Sequence, residues 1–192
     1  MSLVLTSGPA VEPVALDDAK AHLRIDGSDE DTLIASLIVT SRLHIETALD
    51  TALIAQDWSL HLDAFPPRAV VPLPLRPVAA VAAIRLWSDD GTSESLPATD
   101  YLLDGFGMPA RIVRRAGGPW PAARRAANGI EIAFTAGYGD SGADVPAPLR
   151  QALLLLVAHW HAQREPVVIG DTAAPIPSMV SELLAPYRPV RL

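Results

Sequence analysis

The stretch that decides the fold is residues 130–165, IEIAFTAGYGDSGADVPAPLRQALLLLVAHWHAQRE. Ile130, Ile132 and Phe134 alternate with Glu131, Ala133 and Thr135, the period of a half-buried strand. A Gly-rich turn follows. Pro146 and Pro148 then suit the first turn of a helix, where backbone N–H groups have no partner inside the helix. From there Leu149, Ala152, Leu153, Leu156, Val157 and Trp160 recur at helical spacing, which predicts a helix over 146–164. Leu154 and Leu155 lie off that stripe. A helix apolar on more than one face is covered on more than one face, by its own sheet or by a neighbouring subunit.

Upstream, residues 16–49 read LDDAKAHLRIDGSDEDTLIASLIVTSRLHIETAL. Asp17 and Asp18 suit the positive start of a helix over 16–25, and Asp26-Gly27-Ser28 breaks it. Ser28 or Asp29 is expected to cap a second helix over 29–50, whose stripe is Ile34, Leu37, Ile38, Ser41, Ile45, Ala48 and Leu49. Between these helical ends the period changes to two. Trp58, Leu60 and Leu62 alternate with Ser59, His61 and Asp63. Val70–Leu75 carries Pro72 and Pro74, which donate no ladder hydrogen bond, so it is expected at a sheet edge. Val78–Trp87 reads as a strand and Asp89-Asp90-Gly91-Thr92 as a turn, with shorter strands at Tyr101–Leu103 and Arg111–Arg114. The fold class is therefore α+β: three main helices and an antiparallel β-region inserted over 54–136. Five prolines from Pro166 onward predict an extended C-terminal arm, disordered or docked on a partner. One short helix is expected within it at Ser178–Leu184, capped by Ser178.

Composition narrows the function. A chain of 192 residues buries enough surface for a core without staples, and the absence of cysteine excludes disulfides and thiolate zinc sites. No apolar run approaches the roughly 20 residues that span a bilayer, so no membrane partner is expected. MSLVLTSGPAVEP lacks the basic start of a signal peptide, and synthesis in the cytoplasm is the expectation. A net charge of −7 opposes tight wrapping of nucleic acid by the whole surface.

No catalytic, metal or cofactor site is expected. Gly137, Gly139 and Gly142 spell G-x-G-x-x-G, but Ala143–Pro148 separates them from the helix whose free N–H groups a pyrophosphate needs. Gly139-Asp140-Ser141-Gly142 resembles the nucleophile loop of chymotrypsin-like proteases, without a histidine and aspartate in the matching context. His159 and His161 point to different faces of a helix, His22 and His44 are isolated, and His61 lies on the polar side of a strand. Asp29, Glu30 and Asp31 read as helix-start charges. The remaining charge bias is Arg111, Arg114, Arg115, Arg124 and Arg125, in a segment with no Asp or Glu. It is read as a solvated loop or as a basic finger for an acidic partner or DNA phosphates.

With these segments in place, the chain resembles the head–tail connector (adaptor) proteins of long-tailed bacteriophages and phage-derived gene transfer agents. The resemblance rests on residues 16–46, on ALIAQDWSLHLDAFP at 52–66, on PLPLRPVAAVAAI at 72–84 and on Asp100-Tyr101. It continues through FTAGYGD at 134–140, VPAPLRQALLLLVAHWHAQRE at 145–165 and LLAPYR at 183–188. It implies a structural virion protein: residues 1–165 form a connector domain, and about twelve copies close into a ring between the portal protein and a tail-side stopper or terminator. Double-stranded DNA would pass through the ring's channel without specific binding. The resemblance further implies that the arm, 166–192, grips the portal, with Pro177, Met179, Leu183, Leu184, Pro186, Tyr187 and Arg188 as its docking residues. Ring contacts are head-to-tail, so each copy needs two different patches. The off-stripe residues Leu154, Leu155 and Ala158 are the candidates for one, and exposed residues of the second helix for the other. An acidic bore would let DNA slide, with Asp89, Asp90 and Glu94 as candidates. The alternative is a DNA-contacting packaging or regulatory protein using Arg111–Arg125.

Overall fold

Each structural unit of the fold is built from two separate segments of the chain. The computed structural model describes residues 1–105, 107, 109–115, 118–163 and 176–188. It divides into two compact units, a β unit of residues 1–10 and 50–138 and a helical unit within 11–49 and 139–192. The class is α+β, as expected.

The β unit holds β1 (Ser2–Ser7), β2 (Gln56–Leu62), β3 (Val70–Pro72), β4 (Val78–Trp87), β5 (Ser93–Ser95), β6 (Tyr101–Asp104), β7 (Arg111–Arg114) and β8 (Ile130–Ala136). One antiparallel sheet runs β1-β2-β8-β4-β5 and a second runs β3-β7-β6. β8 is the middle strand of the larger sheet. Register sets Phe134 opposite Trp58 and Val81, and Ile132 opposite Leu60 and Ile84. Alternation on β8 is complete: Ile130, Ile132, Phe134 and Ala136 are buried, and the residues between them are half-buried. These side chains share one core with Ile112 of β7, Val71 of β3 and Tyr101 of β6. Burying a side chain the size of Ile132 contributes about 1.5–3 kcal/mol, so this cluster holds the unit together.

Two strands escape the sequence reading. β1 is not expected from the sequence, because Leu3, Val4 and Leu5 of SLVLTS are apolar in succession and show no alternation. β5, also not expected, follows directly on the expected turn Asp89–Thr92, where the Asp90 carboxylate accepts from the Thr92 N–H and hydroxyl and is thereby held below the usual carboxylate range. A third difference concerns β2. Ser59, expected on the polar side, is buried. Its hydroxyl donates to Glu131 Oε1 at 3.2 Å, Arg85 Nη1 reaches the same oxygen at 3.1 Å, and Trp87 Nε1 donates to Oε2 at 2.8 Å. Cross-strand pairing thus satisfies polar groups on the second face of the sheet.

The helical unit holds α1 (Leu16–Leu23), α2 (Asp31–Leu49), α3 (Ala147–Ala162) and α4 (Ser178–Leu184). α1 ends on Arg24 in the left-handed conformation (φ 60°), earlier than the expected residue 25. α2 begins two residues late, after a turn in which the Asp31 N–H donates to the Ser28 carbonyl. α3 matches its expected stripe: Leu149, Ala152, Leu153, Leu156 and Val157 are buried, with Trp160 half-buried. α4 forms over the expected residues. Its cap is Pro177 rather than Ser178, with no side-chain hydrogen bond at that end.

α4 packs on α3 and buries Val180 and Leu184. This part of the tail is seated on its own chain. Residues 164–175 and 189–192 lie outside the described residues.

By length and composition α2 is apolar enough to cross a membrane, although no uninterrupted apolar run of that length occurs in it. Here it is a packed helix. Ile34, Ile38, Ser41, Arg42, Ile45 and Leu49 are buried, and Arg42 is held by carboxylates on both sides.

Candidate assembly surfaces

The glycine turn serves backbone packing. Gly137 has φ +143°, and a Cβ there would lie 2.5 Å from the Ile54 carbonyl and the Ala55 nitrogen. A Cβ on Gly142 would lie 2.5 Å from the Pro13 carbonyl oxygen. The turn continues into a single 3₁₀ turn, Gly142–Asp144, before α3 starts at Ala147. The Ser141 hydroxyl donates to Asp144 Oδ2 at 2.8 Å, and the Ser141 N–H to the same oxygen at 3.0 Å. These bonds hold the Asp144 carboxyl below its ordinary range. Ser141 is therefore a capping residue, and the fingerprint glycines are accounted for by close approach. Among the described residues no group of three His, Cys, Asp or Glu is placed to hold a metal ion. His161 instead pairs with Glu30, Nε2 to Oε2 at 2.8 Å, and His44 meets Trp160 edge-on.

The five arginines of 111–125 are each engaged within the β unit. Arg111 Nε pairs with Asp104 at 2.8 Å and Arg114 Nη1 with Asp100 at 2.9 Å. Arg115 Nε donates to the Tyr101 carbonyl at 2.9 Å. Arg124 pairs with Glu94, and Arg125 donates to the Asn128 carbonyl while lying over the Trp87 ring at 5.6 Å. Arg114 also lies over Trp120, which stacks on Phe65 with ring centroids 4.5 Å apart. A segment without acids in sequence thus finds them across strands. Three of the five charges are paired with carboxylates, and the arrangement is an ion-paired sheet surface. Of the acidic bore candidates, Asp89 and Asp90 are exposed and Glu94 is the partner of Arg124.

Apolar exposure is concentrated elsewhere. On α2, Thr32 to Ser41 contains no charged residue. Leu33, Val39 and Leu43 are exposed, Leu43 at 51%. Leu33, Ser36, Thr40, Leu43 and Thr47 lie at spacings of three and four, an outward stripe that no part of the described helical unit covers. On α3, Leu154, Leu155 and Ala158 are half-buried. On the arm, Leu184 is 3% exposed and belongs to the interior. Met179 is 56% exposed, Pro186 and Arg188 are exposed, and Pro177, Leu183 and Tyr187 are half-buried. On β1, Val4 and Leu5 are 47% and 46% exposed. Sequence reasoning missed that last surface because it missed the strand.

Among the described residues apolar surface is left uncovered on α2, α4 and β1. The phage gp6-like head-tail connector protein family matches this chain over residues 13–87. The fold is similar over nearly the whole chain to solved structures of gene transfer agent (GTA) particles. One is described as the neck of an empty GTA particle computed with C6 symmetry: TM-score 0.86 and 27% identity, covering 100% of this chain and 97% of that one. A second is the virion of a native GTA particle, with TM-score 0.83 and 28% identity over the same shares. A third is the neck of a native GTA particle computed with C12 symmetry, with TM-score 0.76 and 29% identity, covering 98% of this chain and 97% of that one. Among curated proteins, none matches the sequence. The resemblance read from the sequence is borne out: the chain is similar to head–tail connectors, a structural family and not an enzyme family.

Proposed function

We propose that this protein is the adaptor of a phage-like or gene transfer agent particle, where its copies form a ring at the head–tail junction between the portal and the tail-side stopper. The observation that carries this reading is the full-length likeness to chains of GTA necks, one of them computed with C12 symmetry. Ring closure is heterologous, so one copy offers the α2 stripe around Leu33 and Leu43, and the next offers the α3 side with Leu154, Leu155 and Ala158. The portal is engaged by the arm, 166–192, through the side of α4 that faces away from α3, with Met179 at its centre and Pro186 and Arg188 beyond. A net charge of −7 per copy makes the bore repel phosphates, so DNA passes without being held.

Electron microscopy of particles tests the reading. Density for this chain as a ring directly beneath the portal is expected. Mature particles that lack the chain would overturn it.

A further inference from the structure

Among the described residues the five-stranded sheet leaves two edges open, and each is a charge-free stretch of six residues. At one end, β1 reads SLVLTS and among the described residues pairs only with β2. At the other, β5 covers β4 only along Arg85–Trp87, and among the described residues no strand pairs with the outer edge of VAAVAA, 78–83. Ala79, Ala80 and Ala82 are exposed there. Exposed edges are normally blunted by lysine, proline or an inward-pointing charge, because unpaired N–H and C=O groups recruit other strands. Within 2–7 and 78–83 neither edge carries any of these. Bulges interrupt both strands, yet Val4, Leu5 and the alanines remain in the open.

We infer that in the ring β1 of one copy pairs with the outer edge of β4, residues 78–83, of the next, joining the sheets into a continuous intermolecular β-structure. This deepens the adaptor reading and rests on it. Strand direction supports the pairing. β1, β2, β8 and β4 alternate in direction, so β4 runs opposite to β1 within one copy. A ring operator of twelve-fold symmetry turns each copy by only about 30° relative to the last, so strand directions are nearly kept. The incoming β1 therefore meets β4 antiparallel, the pairing with perpendicular hydrogen bonds. Faces match too. Leu3 and Leu5 lie opposite Leu60 and Trp58 on the core side, and Val81 lies opposite Phe134 on that same side. Docking would place half-exposed Leu5 beside half-buried Val81 and extend the core across the joint. Two opposite edges of one sheet also supply the two unlike patches that a closed ring requires.

The chain has no cysteine, so engineered thiols report without background. Val4 and Ala80 lie opposite Ser59 and Thr135, on the face away from the core, and with Leu5 beside Val81 they are diagonal neighbours about 7–8 Å apart, within reach of a short cross-linker. Particles carrying the double variant V4C/A80C, treated with a short bis-maleimide, should give a ladder of covalent oligomers on denaturing gels. V4C alone and A80C alone should give monomer. Monomer from the double variant, in particles that contain the chain by mass spectrometry, would overturn the edge pairing while leaving the adaptor reading intact. Dimers from V4C alone would overturn it as well, since like edges would then be meeting. Particles without the chain would remove both readings together. Hydrogen exchange on the unmodified protein gives an independent measure. Amides of residues 3–6 should exchange at least tenfold more slowly in particles than in isolated subunits, and equal rates would sink the proposal.

Discussion

Arg42, in the middle of α2, reaches thirty positions back to Glu12, its Nε 2.8 Å from Oε2 and its Nη2 3.3 Å from Oε1. Its Nη1 meets Glu46 Oε2, one turn along the helix, at 2.8 Å. Burial opposes the guanidinium charge, but the Glu12 hydrogen bond and the two nearby carboxylates outweigh it and hold its pKa above the ordinary value. The segment before α1 is thereby tied to the helix that follows.

Breaking this clamp on the arginine side leaves two carboxylates without their cation. Arg42→Met is expected to destabilise the protein by about 3 kcal/mol in urea unfolding. Glu12→Gln should lose less, about 1 kcal/mol, because Glu12 is more exposed than Glu46 and solvent screens its share.

Gly137→Ala should destabilise by at least about 1–3 kcal/mol, since its backbone lies at positive φ and the added Cβ meets Ile54 at 2.5 Å. Calorimetry should show no heat with NAD or ATP for the natural protein, because the turn approaches backbone and not a phosphate. A clear binding isotherm would contradict this account of the glycines.

The two sides of α4 predict opposite phenotypes. Leu184→Ala should lower stability by about 2–4 kcal/mol through loss of packing. Met179→Ala should stay within about 0.5 kcal/mol of the natural protein while lowering the yield of tailed particles. Truncating the tail before α4 is the poorer experiment, because it would also strip Val180 and Leu184 from α3.

Leu43→Lys should leave the unfolding midpoint nearly unchanged, since the side chain is already exposed. Incorporation into particles, read by immunoblot against a head protein, should fall at least tenfold. Arg111→Gln and Arg124→Gln should not alter low-salt gel shifts with duplex DNA, because both arginines are engaged by carboxylates.

Asp144 gives a pH signature on the acid side. Its carboxyl is held below the ordinary value by the two Ser141 bonds, so its contribution is fully present above a pH of about 3.9, the unperturbed value. It is lost as pH falls through the lower folded-state value. Melting of Asp144→Asn should therefore differ from the natural protein at neutral pH and converge with it on acidification. A difference that grows as pH falls would reverse the sign and refute the assignment.

Strong periods were legible and short or long-range features were not. β8 and α3 follow from alternation and helical spacing, because each is long enough to show its period and has one decisive apolar face. β1 is not legible because its apolar residues, Leu3 to Leu5, run in succession and show no alternation. Ser59 is buried against expectation because Glu131, on the neighbouring strand β8, accepts its hydroxyl, a partner that sequence spacing does not reveal. The arginines of 111–125 look unopposed in sequence, since Asp100, Asp104 and Glu94 sit on neighbouring strands that only the fold brings alongside. The outward stripe of α2 is the reverse case. Leu33 and Leu43 fall off the expected core stripe, but only the structure shows how exposed they are, and it also leaves Ala48 of that stripe exposed.

The central place of β8 bears on how the chain matures during translation. The strand that joins β1-β2 to β4-β5 is the last of the eight to leave the ribosome. Until then β2 and β4 each lack the strand that pairs with both, and their open edges favour association with other chains. Starvation for codons just ahead of residue 130 should therefore prolong a sticky interval, and aggregation in expression hosts should respond to elongation speed there more than anywhere upstream.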